Sequence, residues 1–167
     1  EMLFSVQSRV DFPRMREIFF TDETWSLAGE GAFAGTFHLF KGGHDLTGTF
    51  KSDVLGVNAY RFPDLAGSLR WTNRTFDVWN ATAKAYGGAT DFTYAIRRPG
   101  GGRPSVSTFD ATLTGVDLAT YTDAEQLRGQ RFAGRASGHV VLEWPIGAFS
   151  QHRGSMSLDV EPPSGTP

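Results

Sequence analysis

Apolar and polar residues alternate along almost the whole chain, and this period of two restricts its fold more than any other feature. Phe33, Gly35, Phe37 and Leu39 alternate with Ala34, Thr36 and His38. Lys41-Gly42-Gly43-His44 then turns the chain into Asp45-Leu46-Thr47-Gly48-Thr49-Phe50-Lys51. Leu69 and Trp71 lead through Thr72-Asn73-Arg74-Thr75 into Phe76-Asp77-Val78-Trp79. The pattern returns at Phe92, Tyr94 and Ile96, at Phe109, Ala111 and Leu113, at Val140, Leu142 and Trp144, and at Met156, Leu158 and Val160. Successive side chains of a strand point to opposite faces, so each run gives a ribbon with one apolar and one polar side. The spacing predicts about ten strands joined by tight turns. The 14 Phe and 20 Gly suit pleated strands with sharp corners, and the runs of Ala, Leu, Glu and Lys that favour helix are missing.

The chain also says one thing twice. Phe4-Ser5-Val6-Gln7-Ser8-Arg9-Val10-Asp11-Phe12 returns as Phe109-Asp110-Ala111-Thr112-Leu113-Thr114-Gly115-Val116-Asp117-Leu118. Each copy runs into a short helical stretch and then a small-residue strand, Leu27-Ala28-Gly29-Glu30-Gly31 and Phe132-Ala133-Gly134-Arg135-Ala136-Ser137-Gly138. Val10 to Val116 is a step of 106 residues and Gly29 to Gly134 a step of 105. A near-constant step predicts a repeat-built segment, its first unit spanning about 1–105 and its second beginning near 106. In the first copy Asp11 can cap a helix over Phe12–Phe19, with Pro13 in the first turn. In the second, Thr122 and Glu125 have the spacing of a capping box. The loop Arg97-Arg98-Pro99-Gly100-Gly101-Gly102-Arg103-Pro104 is the most linker-like stretch.

Several classes of function lose support at once. Sixteen basic and 18 acidic residues give a net charge of −2 with no basic block, which argues against a nucleic-acid partner. With no Cys there is no disulfide framework, thiolate metal site or thiol nucleophile. No run of about 18 apolar residues occurs, and no signal peptide opens the chain. A start inside a strand pattern at Glu1 and an end in Glu161-Pro162-Pro163-Ser164-Gly165-Thr166-Pro167 read as a piece of something longer.

Catalytic chemistry is hard to assemble. None of His38, His44, His139 and His152 has a second His at metal-ligand spacing, and His44-Asp45 beside Gly42-Gly43 reads as an ordinary hairpin turn. Glu143 and Glu30 are isolated strand carboxyls, whereas a glycosidase needs two facing each other. Gly29-Glu30-Gly31 precedes no helix and forms no phosphate cradle. We therefore expect no enzyme and no cofactor. The aromatic residues give the positive signal: a face holding Phe37, Trp71, Phe76, Phe92, Tyr94 and Trp144 must cover itself with something. A closed core, an open trough for acyl chains and an aromatic platform for sugars all satisfy that demand.

Four stretches give the chain a resemblance to the AsmA-like/TamB superfamily of envelope proteins. They are Phe33-Ala34-Gly35-Thr36-Phe37-His38-Leu39-Phe40-Lys41-Gly42-Gly43, Asn80-Ala81-Thr82-Ala83-Lys84-Ala85-Tyr86-Gly87-Gly88, Thr114-Gly115-Val116-Asp117-Leu118 and Leu127-Arg128-Gly129-Gln130-Arg131-Phe132-Ala133-Gly134-Arg135-Ala136-Ser137-Gly138. The resemblance implies an all-β, elongated antiparallel sheet curled into an open trough (β-taco-like), with one or two short helices. It further implies a non-catalytic, periplasmic lipid-transfer segment of a longer protein anchored in the inner membrane. Its partners would be phospholipid acyl chains, neighbouring repeats and an outer-membrane protein; separately, exposed apolar strand edges of such a piece would allow edge-to-edge pairing with a second copy. Groove-lining residues are then Phe33, Phe37, Leu39, Leu69, Trp71, Phe76, Val78, Phe92, Tyr94, Ile96, Val140, Leu142 and Trp144. Glu in place of Leu39 or Ile96 is expected to block lipid passage with the fold largely intact. A carbohydrate-binding β-sandwich and a purely structural envelope repeat are the alternatives.

Overall fold

The computed structural model describes residues 1–124 and 132–164. The chain forms β1 (Met2–Asp11), α1 (Phe12–Phe19), β2 (Leu27–Ala28), β3 (Glu30–Phe40), β4 (Gly43–Val57), β5 (Tyr60–Thr72), β6 (Thr75–Ala85) and β7 (Gly88–Arg97). It continues through β8 (Val106–Asp117), α2 (Leu118–Ala124), β9 (Arg135–Pro145), a 3-10 turn at Phe149–Gln151 and β10 (Arg153–Glu161). The ten strands make a single antiparallel sheet in the order β1-β3-β4-β5-β6-β7-β8-β9-β10, with β2 added onto β4. β1 and β10 do not meet, so the sheet stays open. The expected all-β architecture with two short helices is therefore the one observed.

Most links are hairpins whose corners place residues in the left-handed backbone region. Asn58 (φ +52°) turns β4 into β5, and Tyr86 with Gly87 (φ +48° and +76°) turns β6 into β7. Asn73 ties two neighbouring corners together. Its side chain accepts from the His44 amide at 3.1 Å and donates to Gly42 O at 2.9 Å.

Register decides which residues share a face. Phe4 lies opposite Phe37, Phe37 opposite Leu46, Leu46 opposite Trp71 and Trp71 opposite Phe76; Ile96, Ser107 and Trp144 complete the row. One row, apolar except for the buried Ser107, thus crosses eight strands. Irregularities keep that face apolar where strict alternation would fail. A shift in the β6–β7 register between Val78 and Ala81, at Asn80 (φ +48°), lets both residues face inward. Beyond Asp64 (φ +53°) the parity changes, so Leu65 and Phe62 both join the core.

The two sequence copies also share geometry. Val10 lies opposite Gly31 as Val116 lies opposite Ala136. Phe12 N donates to Gly29 O at 3.1 Å, and Leu118 N to Gly134 O at 3.0 Å. Gly29 and Gly134 take φ of +101° and +123°, a region that side chains with a Cβ disfavour. A shift in the β8–β9 register between Leu113 and Val116 takes in one extra residue of β8, Gly115, at φ +62°, so seven residues lead from Phe109 to Val116 where six lead from Phe4 to Val10.

Both helices are capped by the Asp that ends the preceding strand. Asp11 Oδ1 accepts from Arg14 N at 3.0 Å, and Asp117 Oδ1 accepts from Thr120 N at 2.7 Å. The second assignment corrects the capping box expected at Thr122. That hydroxyl lies inside α2 and donates back to Leu118 O at 2.9 Å, because Asp117 has already opened the helix; Glu125 lies outside the described residues. Asp11→Ala is expected to cost about 1 kcal/mol. Urea denaturation measures it, with Ser at the same position retaining most of the stability.

Candidate functional site

The apolar face does not lie bare along its length. α1 and the loop after it lie across its middle, and three rings of that segment set the geometry. Phe19 packs edge-on to Trp71 with centroids 4.8 Å apart and lies 5.3 Å from Phe76. Phe20 meets Phe76 at 5.2 Å and Tyr94 at 6.0 Å, and Trp25 backs Phe20 at 4.9 Å. A single segment reaches β5, β6, β7 and, through Glu23, β9. The sheet curls around it.

Polar bonds lock this plug in place. Glu23 is 2 % exposed, yet its carboxyl group accepts from Ser107 Oγ at 3.2 Å, Trp144 Nε1 at 3.1 Å and Gly147 N at 3.3 Å. A buried polar group is tolerated only with such partners. Arg16 closes the loop internally, donating to Trp25 O at 2.6 Å and Glu23 O at 2.5 Å. Arg98, from the Gly-rich connection, donates to Phe19 O at 3.2 Å. Tyr94 completes the cluster with its hydroxyl 3.2 Å from Ser107 Oγ, and burial pushes its phenol well above the ordinary range. It stays neutral beside Glu23.

All thirteen residues expected to line a groove fall on this one face, in three environments. Phe33, Phe76, Ile96, Val140 and Trp144 are buried. Phe37, Leu69, Trp71, Val78, Phe92, Tyr94 and Leu142 are half-buried, and Leu39 is exposed. The paired test on Leu39 and Ile96 therefore needs correcting. Ile96 is 1 % exposed and belongs to the cluster under the plug, so Glu there attacks the fold itself. The apolar face resurfaces on both sides of the plug, at Phe4 and Leu39 toward β1 and at Met156, Leu158 and Val160 on β10.

The opposite face is polar and carries a charge ladder across four strands. Arg70 binds Asp45 with both Nε and Nη2, at 3.0 and 2.5 Å from Oδ2, and Arg97 binds Asp77 at 2.5 Å. Arg70 also lies opposite Asp77, so signs alternate Asp45, Arg70, Asp77, Arg97. The hydrogen bond from Arg70 holds the Asp45 carboxyl below its usual range. Such exposed pairs add little stability singly, but they hold this face in water.

The histidines and lone carboxyls fall in separate places. His38 lies 2.8 Å from Glu1 and His139 2.6 Å from Asp110, both on the polar side. His44 packs on Trp71 at 4.0 Å, and His152 stacks on Phe149 at 5.0 Å. Glu143 lies opposite Arg153 and faces away from Trp144, while Glu30 is exposed near Arg9. No group of three potential metal-binding side chains exists among the described residues, and no helix there is long and apolar enough to cross a membrane. Compared with protein-family models, curated proteins and solved structures, the chain matches none.

Sequence reasoning missed Glu23, Arg16 and Trp25. Thr21-Asp22-Glu23-Thr24 looks like a solvated loop, and the signal within reach was its setting between Phe19-Phe20 and Trp25.

Proposed function

We propose that this chain is a non-catalytic lipid-binding segment of an elongated β-sheet, one that shelters acyl chains on the parts of its apolar face that the plug leaves open. The observation that carries the reading is the continuation of the apolar face past α1 to both edges, at Phe4 and Leu39 and again at Met156, Leu158 and Val160. Each methylene withdrawn from water there stabilises the bound state by about 0.8 kcal/mol. A handful of methylenes on each flank is enough for measurable retention. The resemblance to TamB-like proteins supports the same reading, and would place the chain in the periplasm as a stretch of a bridge between membranes. The sugar-platform alternative loses support, because Trp144 and Tyr94 turn their polar atoms to Glu23 and Ser107 and offer no exposed ring.

Native mass spectrometry of the purified protein tests the proposal. Phospholipid is expected to co-purify, and Leu39→Glu with Leu158→Glu is expected to reduce its retention about tenfold. Thr49→Glu, on the exposed polar face, should leave retention unchanged. A lipid-free wild-type protein, or equal retention in all variants, overturns the proposal.

A further inference from the structure

β10 is an edge strand of nine residues, all exposed, with no proline and no bulge to blunt it. Natural edges of this length are normally covered or broken, because a row of free backbone groups invites another strand. The structure also shows what kind of strand fits. β10 stands against β9 as β4 stands against β3, and the outer edge of β4 is filled by antiparallel β5.

We propose that β10 pairs with β10 of a second copy, antiparallel, about a two-fold axis through Ser157 and normal to the sheet. That register is self-complementary. Arg153 of each copy faces Glu161 of the other, Met156 faces Leu158, and Ser157 faces itself. β10 alternates like any strand, so the two apolar faces come to the same side and the sheet continues from one copy into the next. Charge favours this register. Within one chain Arg153 already lies opposite Glu143, and Glu161 opposite Arg135. Pairing about Ser157 therefore builds the row Glu143, Arg153, Glu161, Arg135 over four strands, the last two residues coming from the second copy. The same alternation crosses β4 to β7 as Asp45, Arg70, Asp77, Arg97. A shift of two residues either sets Arg153 against Asp159, whose neighbour on β9 is Ser137, and cuts each row from four charges to three, or carries Arg153 beyond the end of the strand.

The absence of cysteine makes the test clean. The wild-type protein is expected to dimerise in sedimentation equilibrium, and oxidised Ser157→Cys to lock as a covalent dimer where Ser5→Cys on β1 does not. Arg153→Glu or Glu161→Arg alone should weaken the dimer about tenfold. Mixing these two variants restores both opposite-charge contacts and should recover wild-type affinity in a heterodimer. A wild-type protein monomeric at all accessible concentrations, a dimer locked by Ser5→Cys instead, or no recovery on mixing would each overturn the proposal.

Discussion

Replacing Ile96 by Glu is expected to unfold the protein, with a loss on the order of 5 kcal/mol or more. Ile96 is 1 % exposed, lies opposite Phe76 on one side and Ser107 on the other, and belongs to the cluster that α1 covers. A carboxylate there would find no cation and no water. Leu39→Glu puts the same charge at the open end of the same face, where the native side chain is 38 % exposed, and should cost less than about 1 kcal/mol. Urea titration followed by circular dichroism compares the two directly. Similar losses would mean that the face is covered, or open, along its whole length.

Glu23→Ala is expected to cost about 3 kcal/mol, although the residue sits in a loop. The substitution removes the acceptor that serves Trp144 Nε1, Ser107 Oγ and Gly147 N, leaving buried donors without partners. Glu23→Gln keeps an acceptor oxygen and should cost less than half as much. The sheet and the plug should respond differently. Hydrogen exchange is expected to show the amides of Phe12–Trp25 losing protection first, while the ladders of β4 to β7 remain protected. If all amides lost protection together, the plug would be an inseparable part of the fold and not a cover locked onto it.

Much of the architecture was legible in the residues. Alternation is a local property of strands, so Phe33 to Leu39, Leu69 to Trp71 and Phe76, and Phe92 to Ile96 announce both their structure and their shared face. The helix at Asp11-Phe12-Pro13 was equally clear, since capping depends on neighbours three residues apart. The second helix was misread at its start because two capping signals lie five residues apart, and Asp117 opens the helix before Thr122 can.

What the sequence by itself determined is a one-faced antiparallel sheet, its hairpin corners, and the recurrence of one strand-helix-strand unit. Tertiary structure alone decided what covers that face and where the cover stops. Glu23 meets Ser107 and Trp144 across separations of 84 and 121 residues, and Arg98 reaches Phe19 across 79. Period-two patterning records which side of a strand avoids water, and it holds no information on which distant segment excludes the water. That choice rests on ring shapes meeting in a curled sheet and on a carboxyl group finding three donors at once, contacts that form only when the whole chain has folded.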